Sequence, residues 1–139
     1  MKDLFVDANI LIDLLSSREP FSTDAATLFD LAENGKVKLH IAAISVNIVY
    51  YVLRQSYGHK KTIEFLNDLV GLVKIIDVNK SVIKDALASG NSDFEDAIQY
   101  YSAISNHDIK AIISRDKKGF KKSDISVFTA AEVLQLLLK

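Results

Sequence analysis

The chain has 139 residues, a formal net charge of −1 at pH 7, 49% hydrophobic and 25% charged residues, and no cysteine. This length predicts one domain that spans residues 1–139, and the composition excludes a disordered tail protein. Without cysteine, the chain has neither disulfides nor a thiolate metal site. The near-neutral charge excludes a global basic field, so a nucleic-acid partner must bind to a local patch.

The first residues lack the pattern of a signal peptide. An acid, Asp3, follows Met1 and Lys2 directly, and the later apolar runs are too short to cross a membrane. We therefore expect a cytoplasmic protein that does not bind to a membrane.

Short apolar runs alternate along the chain with segments of helical periodicity. Strands are predicted at residues 3–6, 38–44, 73–78, 111–114 and 125–128. Helices are predicted at residues 8–16, 23–34, 45–57, 60–70, 80–89, 93–106 and 130–138. Strands that are apolar on both faces and separated by helices are typical of a parallel sheet covered on both sides. The predicted fold is α/β, a three-layer α/β/α domain with a parallel sheet of four or five strands.

Acids stand where predicted strands end and helices begin. Asp7 follows the first strand, Asp116 follows the run at 111–114, and a helix opens with Asp93-Phe94-Glu95-Asp96. Ligands of parallel α/β sheets bind at the carboxyl ends of the strands, and Mg²⁺ prefers oxygen ligands. These positions predict a divalent-metal site, which is the chemistry that metal-dependent phosphodiester hydrolysis requires.

Each of these acids also has a structural interpretation. Asp7 can cap the helix that follows it, and Asp116 can be a turn residue. Asp93 and Asp96 share a helix face and can complement the positive end of the helix dipole. Asparagine or serine would cap equally well, so capping alone does not require an acid at position 7.

One dense basic run surrounds the last of these acids, Asp116. It contains the cations Arg115, Lys117, Lys118, Lys121 and Lys122. Next to a carboxylate site, such a run can hold the phosphate backbone of RNA, and otherwise it is a solvated loop. Two tyrosine pairs, Tyr50-Tyr51 and Tyr100-Tyr101, can stack on bases, although aromatic residues at helical spacing are more often part of a core.

Three segments resemble the PIN domain, the nuclease fold of the VapC-type toxins. They are DANILIDLL at 7–15, DFEDAIQYYSA at 93–103 and IISRDKKGF at 112–120. The resemblance implies a metal-dependent endoribonuclease that binds Mg²⁺ or Mn²⁺. It implies metal-site acids at Asp7, Asp96 and Asp116, an auxiliary acid at Asp93 and a supporting polar group at Asn9. It also implies an RNA substrate, a small antitoxin partner and a homodimer.

The chain departs from the family pattern at one point. Family members usually carry another acid early in the helix after the second strand, but residues 45–51 contain none, and Asn47 is the nearest polar candidate. A catalytically weak PIN-like module that binds RNA or protein is therefore an alternative function. A receiver-like phosphoacceptor with Asp77 as acceptor is a further alternative, but the last strand is followed by Thr129 and Ala130 and not by the required lysine.

Overall fold

The computed structural model describes residues 2–139. The strands are β1 (Asp3–Val6), β2 (Lys38–Ala42), β3 (Lys74–Ile76), β4 (Ala111–Ile113) and β5 (Ser126–Phe128). The helices are α1 (Ala8–Leu15), α2 (Phe21–Glu33), α3 (Ala43–Val70), α4 (Lys80–Ala88), α5 (Phe94–Ile104) and α6 (Ala130–Leu137). A 3-10 turn at Lys117–Phe120 follows β4.

The five strands form one sheet in the order β3-β2-β1-β4-β5, and every neighbouring pair is parallel. Leu4 and Val6 of the central strand belong to one apolar cluster, with α1, α2, α3 and α6. Phe5, between them, faces a second cluster on the opposite side of the sheet, which α5 helps to build. Because side chains alternate along a strand, this arrangement buries both faces of β1. The predicted three-layer α/β/α fold is confirmed.

The pairing of β1 with β4 brings the ends of two distant segments together. Val6 pairs with Ile113, and the backbone N–H of Asp7 donates to Ile113 O at 3.0 Å. The next residues, Asp7 and Ser114, therefore lie side by side at the carboxyl edge of the sheet. This edge is where the sequence predicted the functional site.

The sequence prediction was wrong about the start of the third helix. Strand β2 ends at Ala42, which is extended and acts as the N-cap, and α3 begins at Ala43. Ser45 therefore does not cap the helix but lies fully buried in its first turn. The predicted break at Gly58 is present as a kink inside α3, where φ is +77°, a conformation that glycine adopts more readily than other residues.

The strand order argues against the receiver-like alternative. Asp77 follows β3, which lies at the edge of the sheet, and β2 separates this strand from β1 and the Asp7 that follows it.

Within residues 2–139, no helix combines the length and apolar character needed to cross a membrane.

Candidate active site

Asp7 is the N-cap residue of α1 and a buried carboxylate. It is 1% exposed, and its side chain accepts no capping hydrogen bond from α1. The Ser114 hydroxyl donates to Asp7 Oδ2 at 2.7 Å. Burial raises the pKa of the Asp7 carboxyl, and hydrogen bonding from Ser114 and Gln99 offsets only part of this effect. The capping interpretation therefore does not explain why an acid stands at this position.

Asp96 lies in the first turn of α5 and is 9% exposed. Burial and then the negative charges of Asp93, Asp7, Asp116 and Glu95 raise its pKa to about 7. A neighbouring charge raises a carboxyl pKa only when it is close, so the carboxylates of Asp7 and Asp116, from two distant segments, lie near Asp96. The structure thus brings together the three acids that the sequence singled out for metal binding.

Ser114 connects two of these acids. Its hydroxyl donates to Asp7 and also accepts a hydrogen bond from the backbone N–H of Asp116 at 3.0 Å. The exposed Asp116 caps the 3-10 turn, because its Oδ1 accepts from the Lys118 N–H at 3.1 Å. The turn role proposed for Asp116 is therefore present, and it leaves the second carboxylate oxygen available.

Asp93 and Asn9 are exposed, unlike Asp7 and Asp96. Asp93 is the exposed N-cap of α5, and its Oδ1 accepts from the Asp96 N–H at 3.0 Å. Asn91 holds this cap in place, because its Oδ1 accepts from the Asp93 N–H at 2.9 Å and its Nδ2 donates to Gly119 O at 3.2 Å. Asn9 is exposed on α1.

The segment that lacks the family acid contributes Ser45 to a buried neutral pair with Gln99. Gln99 is 2% exposed, and its Oε1 accepts from the Ala8 N–H at 3.0 Å and from the Ser45 hydroxyl at 3.3 Å. Asn47, the polar candidate from the sequence, is exposed. The position of Gln99, three residues after Asp96 on the same helix face, was the signal that could have identified it.

Asp13 does not lie on a solvated face of α1. Asp13 is fully buried, and Arg115 donates to it through Nε at 2.6 Å and Nη2 at 3.1 Å. Arg18 lies 3.5 Å away, and the Arg115 guanidinium also stacks 4.3 Å from the Phe21 ring centroid. Arg115, the first cation of the basic run, is therefore already paired within the protein.

Gly119 packs directly on Asp96. A Cβ atom at this position would overlap Asp96 Oδ2 and crowd its Cγ. The backbone of the 3-10 turn therefore covers one side of the carboxyl group, which explains part of its burial. Local sequence patterns do not reveal this contact, because the two residues are 23 positions apart.

Three acids, Asp93, Asp96 and Asp116, line an open cavity of about 630 Å³, whereas Asp7 is not among its lining residues. The rest of the wall includes the backbone of Gly119 and the following residues: Tyr100, Tyr101, Ile104, Lys118, Lys121 and Lys122. Four of the five cations predicted for RNA contact thus lie in the 3-10 turn or directly after it, and three of these four line the cavity.

The donor set suits a hard divalent cation. Asp7, Asp96 and Asp116 offer only carboxylate oxygens, which Mg²⁺ and Mn²⁺ prefer. No salt bridge within residues 2–139 neutralises any of these three acids. In that same range, no three acidic, histidine or cysteine side chains are already spaced to hold one ion. The three carboxylates match a divalent cation in chemistry and charge. Binding one ion through all three requires their side chains to move closer together.

The fold and this edge define a class of protein: a parallel α/β domain that gathers aspartates from β1, α5 and the segment after β4. Sequence comparison assigns the family directly, because residues 3–118 match the PIN domain. The chain belongs to the PIN domain family. No curated protein matches the sequence.

Solved structures share the fold at low sequence identity. DNA-bound VapBC from Salmonella typhimurium has a TM-score of 0.71 and 12% identity over 94% of this chain and 99% of that one. VapC20 from Mycobacterium tuberculosis, a Sarcin-Ricin loop cleaving toxin, has a TM-score of 0.67 and 14% identity over 86% and 94%. VapBC2 from Rickettsia felis, bound to a promoter DNA fragment, has a TM-score of 0.68 and 15% identity over 91% and 98%.

Proposed function

We propose that this protein is a metal-dependent endoribonuclease and the toxin of a toxin–antitoxin pair. The observation that carries this proposal is the convergence of carboxylates on the buried Asp96. Burial and these neighbouring charges together raise its pKa to about 7, and no cation of residues 2–139 neutralises the group. Burying repelling carboxylates destabilises a fold, and a bound divalent cation reverses that effect.

In this proposal Asp7, Asp96 and Asp116 hold Mg²⁺ or Mn²⁺. The bound metal would activate a water molecule and stabilise charge on the phosphate. Ser114 and Gln99 orient the Asp7 carboxylate through hydrogen bonds. Asp93, at the exposed rim, contributes directly or through a water molecule, and Asn9 orients a ligand or a water molecule.

The proposed RNA contact involves the four lysines in and directly after the 3-10 turn. Lys117, Lys118, Lys121 and Lys122 are exposed, and three of them line the cavity beside the acids. Lys117 Nζ also lies 2.6 Å from Glu132 Oε1, on the surface, where such pairs are weak. We assign phosphate contact to these lysines, whereas Arg115 contributes by anchoring the turn to Asp13.

The proposed protein partner is a small antitoxin, because the structural neighbours include VapBC complexes. An open groove of about 500 Å³ offers apolar side chains for such a contact, on a face separate from the acidic cavity. Leu14, Leu15, Phe29, Tyr57, Phe65 and Leu72 line it. We also propose a homodimer, which analytical ultracentrifugation of the purified chain would test.

A cleavage assay tests the enzyme proposal. The purified protein should cut RNA with Mn²⁺ and stop when EDTA is added. Asp7→Asn and Asp96→Asn should each lower the rate on the order of 100-fold or more, because each removes a carboxylate that would hold the metal, and the metal would stabilise the charge on the phosphate. Asp68→Asn, an exposed position on α3, is the matched control and should retain the rate. Unchanged cleavage by the Asp7 and Asp96 variants would contradict the proposal.

A catalytically weak module that binds RNA or protein is the second candidate. The neutral Ser45–Gln99 pair in the corner of the missing acid favours it. Tight RNA binding without Mn²⁺-dependent turnover, and without Mn²⁺ affinity in calorimetry, would support this function over the first. Robust metal-dependent turnover would exclude it.

A further inference from the structure

We propose that Tyr100 and Tyr101 form a stacking site for one unpaired RNA base, next to the phosphate that the carboxylates address. Both tyrosines line the cavity that Asp96 and Asp116 also line. They follow Asp96 by four and five residues on α5, so the helix places them about one turn from the carboxyl group. The choice of RNA as the ligand rests on the proposed function.

The two rings are held in place before any ligand binds. Their centroids are 5.1 Å apart at an interplanar angle of 75°, an edge-to-face pair. The Tyr100 hydroxyl accepts a hydrogen bond from the Asp124 N–H at 3.1 Å, which ties the ring to the segment after the 3-10 turn. Tyr101 packs on the apolar cluster between α4 and α5. Because both rings are already ordered, stacking costs little side-chain entropy.

The cavity has the size and the charge distribution that a nucleotide needs. A volume of about 630 Å³ lies within the range of small-ligand pockets. Lys118, Lys121 and Lys122 border it, and none of the three forms a salt bridge in the part of the chain that the structure describes. A phosphodiester can therefore contact lysines while its base lies on the tyrosines.

The geometry selects single strands. Stacking on an aromatic side chain requires an exposed base face, and a base inside a duplex is stacked and paired already. Aromatic stacking tolerates every base, so the site orients a nucleotide without reading its identity.

The other tyrosine pair provides the matched control. Tyr50 and Tyr51 also form an edge-to-face pair, at 5.7 Å, but they lie on α3, do not line the cavity, and Tyr50 contacts His59. Tyr51 is 56% exposed, so its replacement removes an aromatic ring from the surface without opening the core.

Equilibrium binding in EDTA tests the stacking site without any turnover. A fluorescently labelled eight-nucleotide single-stranded RNA is titrated with the wild type, Tyr100→Leu, Tyr101→Leu and Tyr51→Leu. Loss of a stacked base should weaken binding by about tenfold or more for at least one of the Tyr100 and Tyr101 variants. Tyr51→Leu should bind within about twofold of the wild type, because the expected stacking contribution does not involve this ring. Equal binding by all four proteins would overturn the proposal.

A second measurement uses only the wild type, in case a variant does not fold. An RNA backbone of the same length in which every nucleotide is abasic, and a duplex of the original sequence, compete with the labelled strand. The duplex and the abasic strand should each compete about tenfold more weakly than the intact strand, and equal competition by all three would overturn the stacking site. If RNA binds in this way but Mn²⁺ produces no cleavage, the nuclease proposal fails while the stacking site stands. If cleavage occurs but abasic and intact strands bind equally, the nuclease proposal stands while the stacking site fails.

Discussion

Helix α1 has two buried aspartates of opposite character, Asp7 before its first turn and Asp13 near its end. Asp13 is fully buried, and two arginines, Arg115 and Arg18, neutralise it. Asp7 is 1% exposed and receives hydrogen bonds from neutral groups, without a salt bridge among the described residues. Asp13 is buried with its counterions, whereas Asp7 and the neighbouring Asp96 have no counterion among the described residues.

The largest effect on stability should come from Asp13→Ala. The change leaves Arg115 and Arg18 without their buried partner, and breaking a buried ion pair costs about 3–5 kcal/mol. Urea denaturation should report this loss in the free energy of unfolding, while Asp30→Ala, an exposed change on α2, should be nearly neutral. A loss below about 1 kcal/mol, the range of a surface pair, would show that Asp13 does not anchor the fold.

Mn²⁺ should stabilise the wild type by an amount that grows with the logarithm of its free concentration once that exceeds the Kd. At a free concentration 100 times the Kd, a ligand that binds only the folded state adds about 2.7 kcal/mol. Differential scanning calorimetry should show a rise in Tm for the wild type and for Asp68→Asn, and none for Asp96→Asn. An equal rise in Asp96→Asn would mean that Mn²⁺ binds elsewhere.

Gly119→Ala tests the contact between the 3-10 turn and the Asp96 carboxyl. Its Cβ would overlap the Asp96 carboxyl, so that the acid or the 3-10 turn must move. We expect a loss of about 1–3 kcal/mol in stability and weaker Mn²⁺ affinity. Gly71→Ala is the control, because its Cβ would make ordinary contacts. Wild-type stability and metal affinity in Gly119→Ala would show that the turn does not cover Asp96.

The smallest effect concerns pH. The folded pKa of Asp96 is raised to about 7 from an ordinary 3.8, so the folded state holds a proton that the unfolded state has lost. The raised pKa of Asp96 therefore contributes to the free energy of unfolding in full below about pH 4. This contribution, on the order of 1 kcal/mol after allowance for solvent screening, is lost as the pH rises towards 7.

Urea denaturation in EDTA at pH 4.5 and 7.5 measures this contribution as the difference between the wild type and Asp96→Asn. Glu19 and Glu132 have lowered pKa values and act in the opposite direction, but they are common to both proteins and cancel. Parallel pH dependence in the two proteins would show that Asp96 does not titrate as described.

The sequence predicted the strand ends because their signals are local. Asp7 follows an apolar run directly, and the parallel register then fixes its neighbour Ser114. The partners of the buried polar groups could not be predicted in the same way. Arg115 reaches Asp13 across 102 positions, and Ser45 reaches Gln99 across 54. Such contacts depend on how the helices pack on the sheet, which periodicity does not encode.

Metal binding by the acids that lack counterions is tested most directly by isothermal titration of Mn²⁺ at pH 8, where Asp96 is mostly ionised. We expect saturable binding to the wild type and to Asp68→Asn, and its loss in Asp7→Asn and Asp96→Asn. The absence of binding to the wild type, or equal binding to all four proteins, would contradict the assignment of these carboxylates to a metal.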